Sequence, residues 1–125
     1  MDNVKLIIPK KSEFLSTIRL TTSALSNISG SNIDIIEDLK VLVSEVCVFL
    51  INSVEDNDKP LEIEYFLEKE FVKIIVTDLN SGKININNST SSEMCVLIIE
   101  SLSDKYEIDL ENKKLSFEKN LINIE

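Results

Sequence analysis

The feature that most constrains the fold is residues 37–54, where a single acid precedes an unbroken apolar run. Glu45 lies directly before the run, which extends from Val46 to Ile51. A surface helix needs an apolar residue only at every third or fourth position, so such a run predicts a helix that is covered on most sides. Glu45 therefore lies at the edge of a buried region. A carboxylate there is either a helix-surface residue or a catalytic base.

The composition predicts one domain that spans residues 1–125. The chain has 125 residues, 43% of them hydrophobic, and a formal net charge of −9. A chain of this length and apolar content can bury one proper core. Its acidic surface would be repelled by nucleic-acid phosphates and suits a basic protein partner instead. We therefore expect no direct nucleic-acid binding.

The absence of histidine and the scarcity of glycine restrict the possible chemistry. Without histidine, a general base has to be a carboxylate, Lys, Tyr or Cys, and a His-based metal site or a Ser-His triad is excluded. The chain has only two glycines, Gly30 and Gly82, which is little material for a phosphate-binding loop. Cys47 and Cys95 lie in apolar runs and are predicted to be buried, reduced thiols. With no signal peptide and no bilayer-length apolar run, we expect a cytoplasmic protein that does not contact a membrane.

Hydrophobic periodicity predicts the order β-α-α-β-β-loop-α-β-β. Ser12 is the expected N-cap of the first helix, Gly30 its C-terminal glycine, and Ser31 with Asp34 a capping box for the second helix. The polar stretch from Asp78 to Ser92 is a predicted loop. The remaining predicted elements are a strand Val4–Ile8, a hairpin of Leu61–Glu68 and Phe71–Thr77, a helix Glu93–Leu102, and a hairpin of Lys105–Leu110 and Lys114–Phe117. This order is typical of an α+β two-layer sandwich, with helices on one face of a mixed, mainly antiparallel sheet.

Several strings within this order resemble one family. They are Ile-Arg-Leu-Thr at residues 18–21, the segment 37–47, Ile-Val-Thr-Asp at residues 75–78 and, more weakly, residues 97–104. Together they resemble the RsbW-like anti-sigma serine kinases of the GHKL superfamily, whose fold is the histidine kinase-like (Bergerat) ATPase fold. The resemblance extends from about Lys5 to Phe117. It implies an ATP site, a sigma-factor or antagonist partner, and a homodimer.

The resemblance gives Glu45 the position of the family's general base. Phe49, four residues later, takes the position of the asparagine that holds Mg²⁺. Phenylalanine has no oxygen, whereas Mg²⁺ requires oxygen ligands, and the ring would project on the face of Glu45. Asn52 lies on roughly the same face and is an alternative ligand. Without its metal, Glu45 is a vestigial base.

The resemblance also matches Asp78-Leu79-Asn80-Ser81-Gly82 to the motif Asp-x-Gly-x-Gly, whose Asp accepts a hydrogen bond from the adenine amino group. Asp78 and Gly82 are retained. Asn80 replaces the first glycine and can adopt the left-handed conformation at some cost. This nucleotide-binding motif is therefore degenerate. Independently of the family, Asp78 is a turn residue that ends a strand.

A third family motif, Gly-x-Gly before the last helix, aligns with Glu93 and Cys95. Their side chains would block a close approach of phosphate to the backbone. A carboxylate about 4 Å from a phosphate charge costs about 4 kcal/mol at an effective dielectric constant of about 20. Cys95 has two further interpretations, a reactive thiol at a helix start or a small buried residue.

These departures agree in predicting a fold kept without its ATPase chemistry. We expect a regulatory, anti-sigma-factor-like protein that acts by protein–protein binding and has no cofactor. Arg19, the only arginine, matches a family position that contacts the sigma factor or the antagonist; otherwise it is a solvated helix residue. Two alternatives stay open. One is an active serine/threonine kinase that binds Mg-ATP, and the other is a plain dimerisation module.

Overall fold

The computed structural model describes residues 2–85 and 89–121, without the side chains of residues 89–92. Within these ranges the elements follow in the predicted order, and a short 3-10 helix, Ser12–Phe14, precedes the first α-helix. The elements are β1 (Asp2–Ile8), α1 (Leu15–Ile28), α2 (Ile33–Ser53), β2 (Leu61–Leu67), β3 (Phe71–Asp78), α3 (Ser89–Leu102), β4 (Lys105–Asp109) and β5 (Lys114–Asn120). The predicted α+β class is confirmed. No helix in the described ranges is long and apolar enough to cross a membrane.

The described strands form one sheet in the order β1-β2-β3-β5-β4, and each neighbouring pair is antiparallel. The described sheet is therefore entirely antiparallel, whereas the sequence predicted a mixed, mainly antiparallel sheet. The pairs β2–β3 and β4–β5 are hairpins, which are antiparallel by construction. Helices α1 and α2 fold back on each other between β1 and β2, so the chain enters β2 running against β1.

The core lies between one face of this sheet and the three helices. Alternation along β2 and β3 turns every second side chain toward the helices. Helix α2 packs between α1 and α3 and crosses β3 and β5. In its apolar run, Val46, Cys47, Phe49 and Leu50 are buried and Val48 is half-buried. The prediction of a helix covered on most sides is confirmed.

Helix ends are set by local hydrogen bonds. Gly30 has φ +86°, and its N–H donates to the Asn27 carbonyl while the Ser31 N–H donates to the Ser26 carbonyl, both at 3.1 Å. This Schellman arrangement confirms Gly30 as the C-terminal glycine of α1. It also takes up Ser31, so the predicted capping box is wrong. The N-cap of α2 is Asn32, whose side chain accepts the Ile35 N–H at 2.9 Å.

Two other helix starts also differ from prediction. Ser12 begins the 3-10 helix and is not a cap, because that position is taken by Lys11, which makes no side-chain capping bond. Helix α3 begins at Ser89 rather than at Glu93. The serine-rich stretch has a weak intrinsic preference for loops, and such a preference is readily overridden by tertiary packing. Glu93 and Cys95 therefore lie inside a helix. Residues 86–88 of the predicted loop lie outside the described residues.

A buried hydrogen bond ties α1 to the sheet. The Thr22 hydroxyl donates to the Ile18 carbonyl at 2.8 Å, and the Thr22 and Tyr65 hydroxyl oxygens are 2.7 Å apart. Because a hydroxyl has one hydrogen, Tyr65 must be the donor to Thr22. Burial raises the pKa of Tyr65 to about 12, so the phenol stays protonated and able to donate.

Because Tyr65 donates to Thr22, substitutions of these two residues should lower the unfolding free energy by unequal amounts. Tyr65→Phe removes the donor and leaves the Thr22 hydroxyl bonded to Ile18, so we expect a loss of about 0.5–1.5 kcal/mol of unfolding free energy. Thr22→Val leaves the Tyr65 hydroxyl buried without an acceptor, which costs about 1–3 kcal/mol. Urea denaturation followed by circular dichroism measures both. A larger loss in Tyr65→Phe than in Thr22→Val would contradict the assignment.

Candidate functional site

The sheet brings the end of β1 and the end of β3 to the same edge. Ile8 pairs with Leu61, which in turn pairs with Asp78, so the three residues form one row across the strands. Asp78 is the last residue of β3 and its side chain points to the buried face. Lys10 follows β1 after Pro9 and folds over this edge. No pattern in the sequence singles out Lys10.

Lys10 and Asp78 form a buried ion pair. The Lys10 Nζ lies 2.8 Å from Asp78 Oδ2, and the two side chains are 1% and 0% exposed. The same ammonium donates to the carbonyls of Val54 at 2.8 Å and Asp56 at 2.7 Å. The contact with Oδ2 is a charge contact rather than an aligned hydrogen bond. Three oxygens therefore surround the ammonium, which a lysine needs when it is taken out of water.

The other oxygen of Asp78 is committed to Asn80. Asp78 Oδ1 accepts the backbone N–H of Asn80 at 2.9 Å and its side-chain amide at 2.7 Å. The Asn80 amide also bonds the backbone N–H and carbonyl of Lys59, each at 2.8 Å. Asn80 is not in the left-handed conformation, which among the described non-glycine residues is adopted by Lys113 alone. Asn80 thus stabilises the loop through its side chain and not through a glycine-like backbone.

Gly82 lies close to the segment that follows α2. A Cβ atom at Gly82 would lie 3.2 Å from Asp56 Oδ2 and 3.3 Å from Val54 Cγ1. The two residues near it are the ones whose carbonyls hold Lys10. The motif that was matched from the sequence, Asp78 to Gly82, therefore packs with Lys10 and the loop after α2 into one cluster.

The predicted base and metal positions lie together in the helical layer. Phe49 is 4% exposed and belongs to the core, whereas Glu45 is half-buried one helical turn before it. Burial raises the pKa of the Cys95 thiol to about 12, and the nearby Glu45 charge adds to this shift. Cys95 lies in the second turn of α3 and is buried, which favours the small buried residue over the reactive thiol.

Other predicted site residues lie apart from these groups. Glu93 is exposed on α3, and Asn52 is exposed on α2. Arg19 is half-buried, and its Nη1 donates to the Ser44 hydroxyl on α2 at 3.3 Å, so it is not a fully solvated residue. In the described part of the chain, no cluster of three or more Cys, Asp or Glu side chains could hold a metal ion.

An open cleft of about 450 Å³ borders the Gly82 loop. Lys83, Ile84, Leu110 and Lys113 are among the residues that line it. Gly82 of the matched nucleotide motif also lines it, whereas Asp78, Glu45 and Phe49 do not.

The comparisons with known proteins agree with this fold. No family model matches the chain. The chain is 34% identical over 77 residues to the serine-protein kinase RsbW of Halalkalibacterium halodurans, which covers 62% of this chain and 48% of the relative. It is 31% identical over 91 residues to the RsbW of Bacillus cereus strain AH187, and this match covers 72% of this chain and 56% of that relative. The chain thus spans about half the length of the curated relatives it matches.

Among solved structures, the chain resembles the crystal structure of the RsbU and RsbW domains of Rv1364c from Mycobacterium tuberculosis. The TM-score is 0.70, and the match covers 96% of this chain and 31% of that one at 14% identity, so it shows the fold. The fold is thus that of a histidine kinase-like ATPase domain. Within that class, the chain belongs to the RsbW-like family, as the sequence strings predicted.

The Lys10–Asp78 pair makes a sharp prediction about stability. Lys10→Met keeps the length of the side chain but leaves Asp78 buried and without its counter-charge, so we expect a loss of about 3–5 kcal/mol of unfolding free energy. Lys5→Met is the matched control, because Lys5 is exposed and pairs with Glu62 at 3.3 Å; it should cost no more than about 1 kcal/mol.

The double variant Lys10→Met/Asp78→Asn removes both charges and should recover part of the loss. Urea denaturation of wild type, Lys10→Met, Asp78→Asn and the double variant measures the coupling between the two side chains. Equal losses in Lys10→Met and Lys5→Met would show that the ion pair does not stabilise the fold.

Proposed function

We propose that this chain is an anti-sigma-factor-like regulatory protein that binds protein partners and does not bind Mg-ATP. Its partners would be a sigma factor, an anti-sigma antagonist, or both, and it would act in the cytoplasm as a homodimer. The relatives it matches are named serine-protein kinases. The proposal therefore separates the regulatory role of the family from its kinase chemistry.

The proposal rests mainly on one observation: both carboxylate oxygens of Asp78 already have partners within the chain. In the family this carboxylate accepts a hydrogen bond from the adenine amino group. Here one of its oxygens contacts the Lys10 ammonium and the other accepts two hydrogen bonds from Asn80. Lys10 thus supplies, from within the chain, a charged nitrogen partner for Asp78 where a nucleotide would bring a neutral N–H donor. Breaking a buried ion pair costs about 3–5 kcal/mol, or a factor of a hundred to a few thousand in affinity.

The metal position supports the same conclusion. Phe49 stands where the family has its Mg²⁺-binding asparagine, and its ring is buried in the core. The ring has no oxygen, and turning it outward would open a cavity between α2 and the sheet. The residues present therefore do not fit Mg-ATP. Glu45 keeps the position of the base, but Phe49, one turn later, offers no oxygen to a metal.

The phosphate position is also altered. Glu93 and Cys95 align with the family's Gly-x-Gly motif but lie inside α3. Within a helix, the backbone N–H groups past the first turn are bonded to carbonyls of the same helix and are not available to a phosphate. The exposed Glu93 carboxylate adds a charge that repels phosphate.

Calorimetric titration with Mg-ATP and Mg-ADP tests the loss of nucleotide binding. We expect no binding heat and no thermal shift at millimolar nucleotide, because a ligand stabilises a native state only if it binds to it. The Halalkalibacterium halodurans relative is the positive control. Affinity in the micromolar range or tighter, abolished by Asp78→Asn, would overturn the proposal and favour the active kinase.

Partner capture tests the regulatory role. Sigma factors and antagonists from the same genome, each carrying a tag, should retain the wild-type chain, and Arg19→Glu should abolish retention by reversing a charge at an interface anchor. Lys69→Glu is the control, because it makes the same charge change in an exposed hairpin turn. Ser44→Ala removes only the hydrogen bond between α1 and α2.

If Arg19→Glu is retained like wild type, Arg19 is not part of the interface. If no bait retains the wild-type chain while ultracentrifugation shows a dimer, the plain dimerisation module is the better description.

A further inference from the structure

Helices α2 and α3 lie side by side and run in opposite directions. Lys119 links the beginning of one to the end of the other, since its Nζ lies 3.0 Å from Asp38 Oδ2 on α2 and 2.5 Å from the Leu102 carbonyl on α3. Further along, Glu45 on α2 is close enough to Cys95 on α3 to raise the pKa of that thiol. Residues near position 41 therefore lie opposite residues near position 98.

Three large apolar side chains are exposed along this helix pair. Val41 is 42% exposed, Met94 52% and Leu97 58%. Met94 and Leu97 are three residues apart and share one face of α3, and the antiparallel register places Val41 beside Leu97. Val48 on α2 and Ile98 on α3 are half-buried. The α2–α3 pair thus carries exposed apolar side chains on both helices, and we call Val41, Met94 and Leu97 the apolar strip.

Carboxylates surround this strip. Glu37 and Glu45 lie on α2, and Glu93 and Glu100 lie on α3. Among the described residues, Glu37 pairs with Lys40 at 3.2 Å, while Glu45, Glu93 and Glu100 have no cationic partner. We call Val41, Met94 and Leu97, together with Glu45, Glu93 and Glu100, the α2–α3 surface.

We propose that the α2–α3 surface binds a basic amphipathic helix of a protein partner. An amphipathic helix buries its apolar residues in a groove between two helices, and its flanking lysines and arginines would meet the three unpaired carboxylates. This proposal depends on the proposed function in one respect only, because both take the chain to act by binding a protein. It gives Glu45 a role in docking that needs neither metal nor nucleotide.

The charge pattern decides between this occupant and others. A second copy joined by a two-fold axis would place the same carboxylates against each other, which repels. Nucleic acid and anionic membranes are repelled for the same reason. A basic segment is the occupant whose binding removes the mutual repulsion of the carboxylates while covering the apolar strip.

The probe for this proposal is a synthetic leucine–lysine peptide of about five helical turns with leucines on one face. We expect it to bind the full chain with an affinity that falls as salt is added, measured by fluorescence anisotropy of the labelled peptide. Backbone chemical-shift changes on titration should be largest in α2 and α3.

Two double variants with the same change in composition locate the binding. Leu97→Ser/Glu100→Gln alters the α2–α3 surface and should weaken binding about tenfold. Leu20→Ser/Glu70→Gln alters exposed residues on α1 and in the β2–β3 turn and should leave the affinity within about twofold. Equal affinity of the two variants, or no binding by wild type, would overturn the proposal. Nucleotide titrations do not enter this result, so it stands or falls separately from the proposed loss of Mg-ATP binding.

Discussion

The buried pair of Lys10 and Asp78 is the interaction on which this end of the structure depends. A lone charge in the interior is costly, and it is tolerated here because the ammonium meets one carboxylate and two carbonyl oxygens within 2.8 Å. These acceptors come from the end of β3 and from the segment that follows α2, while Lys10 follows β1. One side chain therefore joins two strand ends to the chain that leaves the central helix.

The same interaction gives the residues that match the family's nucleotide motif a structural role. Asp78 and Asn80 bind Lys10, Lys59 and each other, and Gly82 packs against the segment whose carbonyls hold Lys10. Phe49 does the equivalent in the helical layer by filling the core. Under the proposed loss of Mg-ATP binding, the stability that a bound ligand would give has to come from contacts within the chain. Asn80, in place of a family glycine, and Phe49, in place of a family asparagine, both provide such contacts.

Charge is distributed unevenly between the two sides of the molecule. On the open face of the sheet, acidic and basic side chains face each other across the strands: Lys5 with Glu64, Lys73 with Glu118, and Lys114 with Asp109. Opposite charges at such positions attract. On the helical side, Glu37 and Asp38 of α2 pair with Lys40 and Lys119, while Glu45, Glu93 and Glu100 have no cationic partner among the described residues. Carboxylates without a cationic partner therefore lie on the same two helices as the exposed side chains of Val41, Met94 and Leu97.

The sequence by itself determined the features that depend on neighbouring residues. Periodicity predicts the order of elements, six successive apolar residues predict the buried middle of α2, and Gly30 predicts the end of α1. The chemistry of Phe49 is also visible in the sequence, since no environment gives a phenyl ring an oxygen. The tertiary structure alone decided the rest. Lys10 meets Asp78 only because β2 pairs with both β1 and β3, and Asn32 rather than Ser31 caps α2 because the turn after α1 takes up Ser31. Contacts between residues far apart in the chain leave no local periodicity, so a lysine after a strand gives no sign in the sequence that it will be buried.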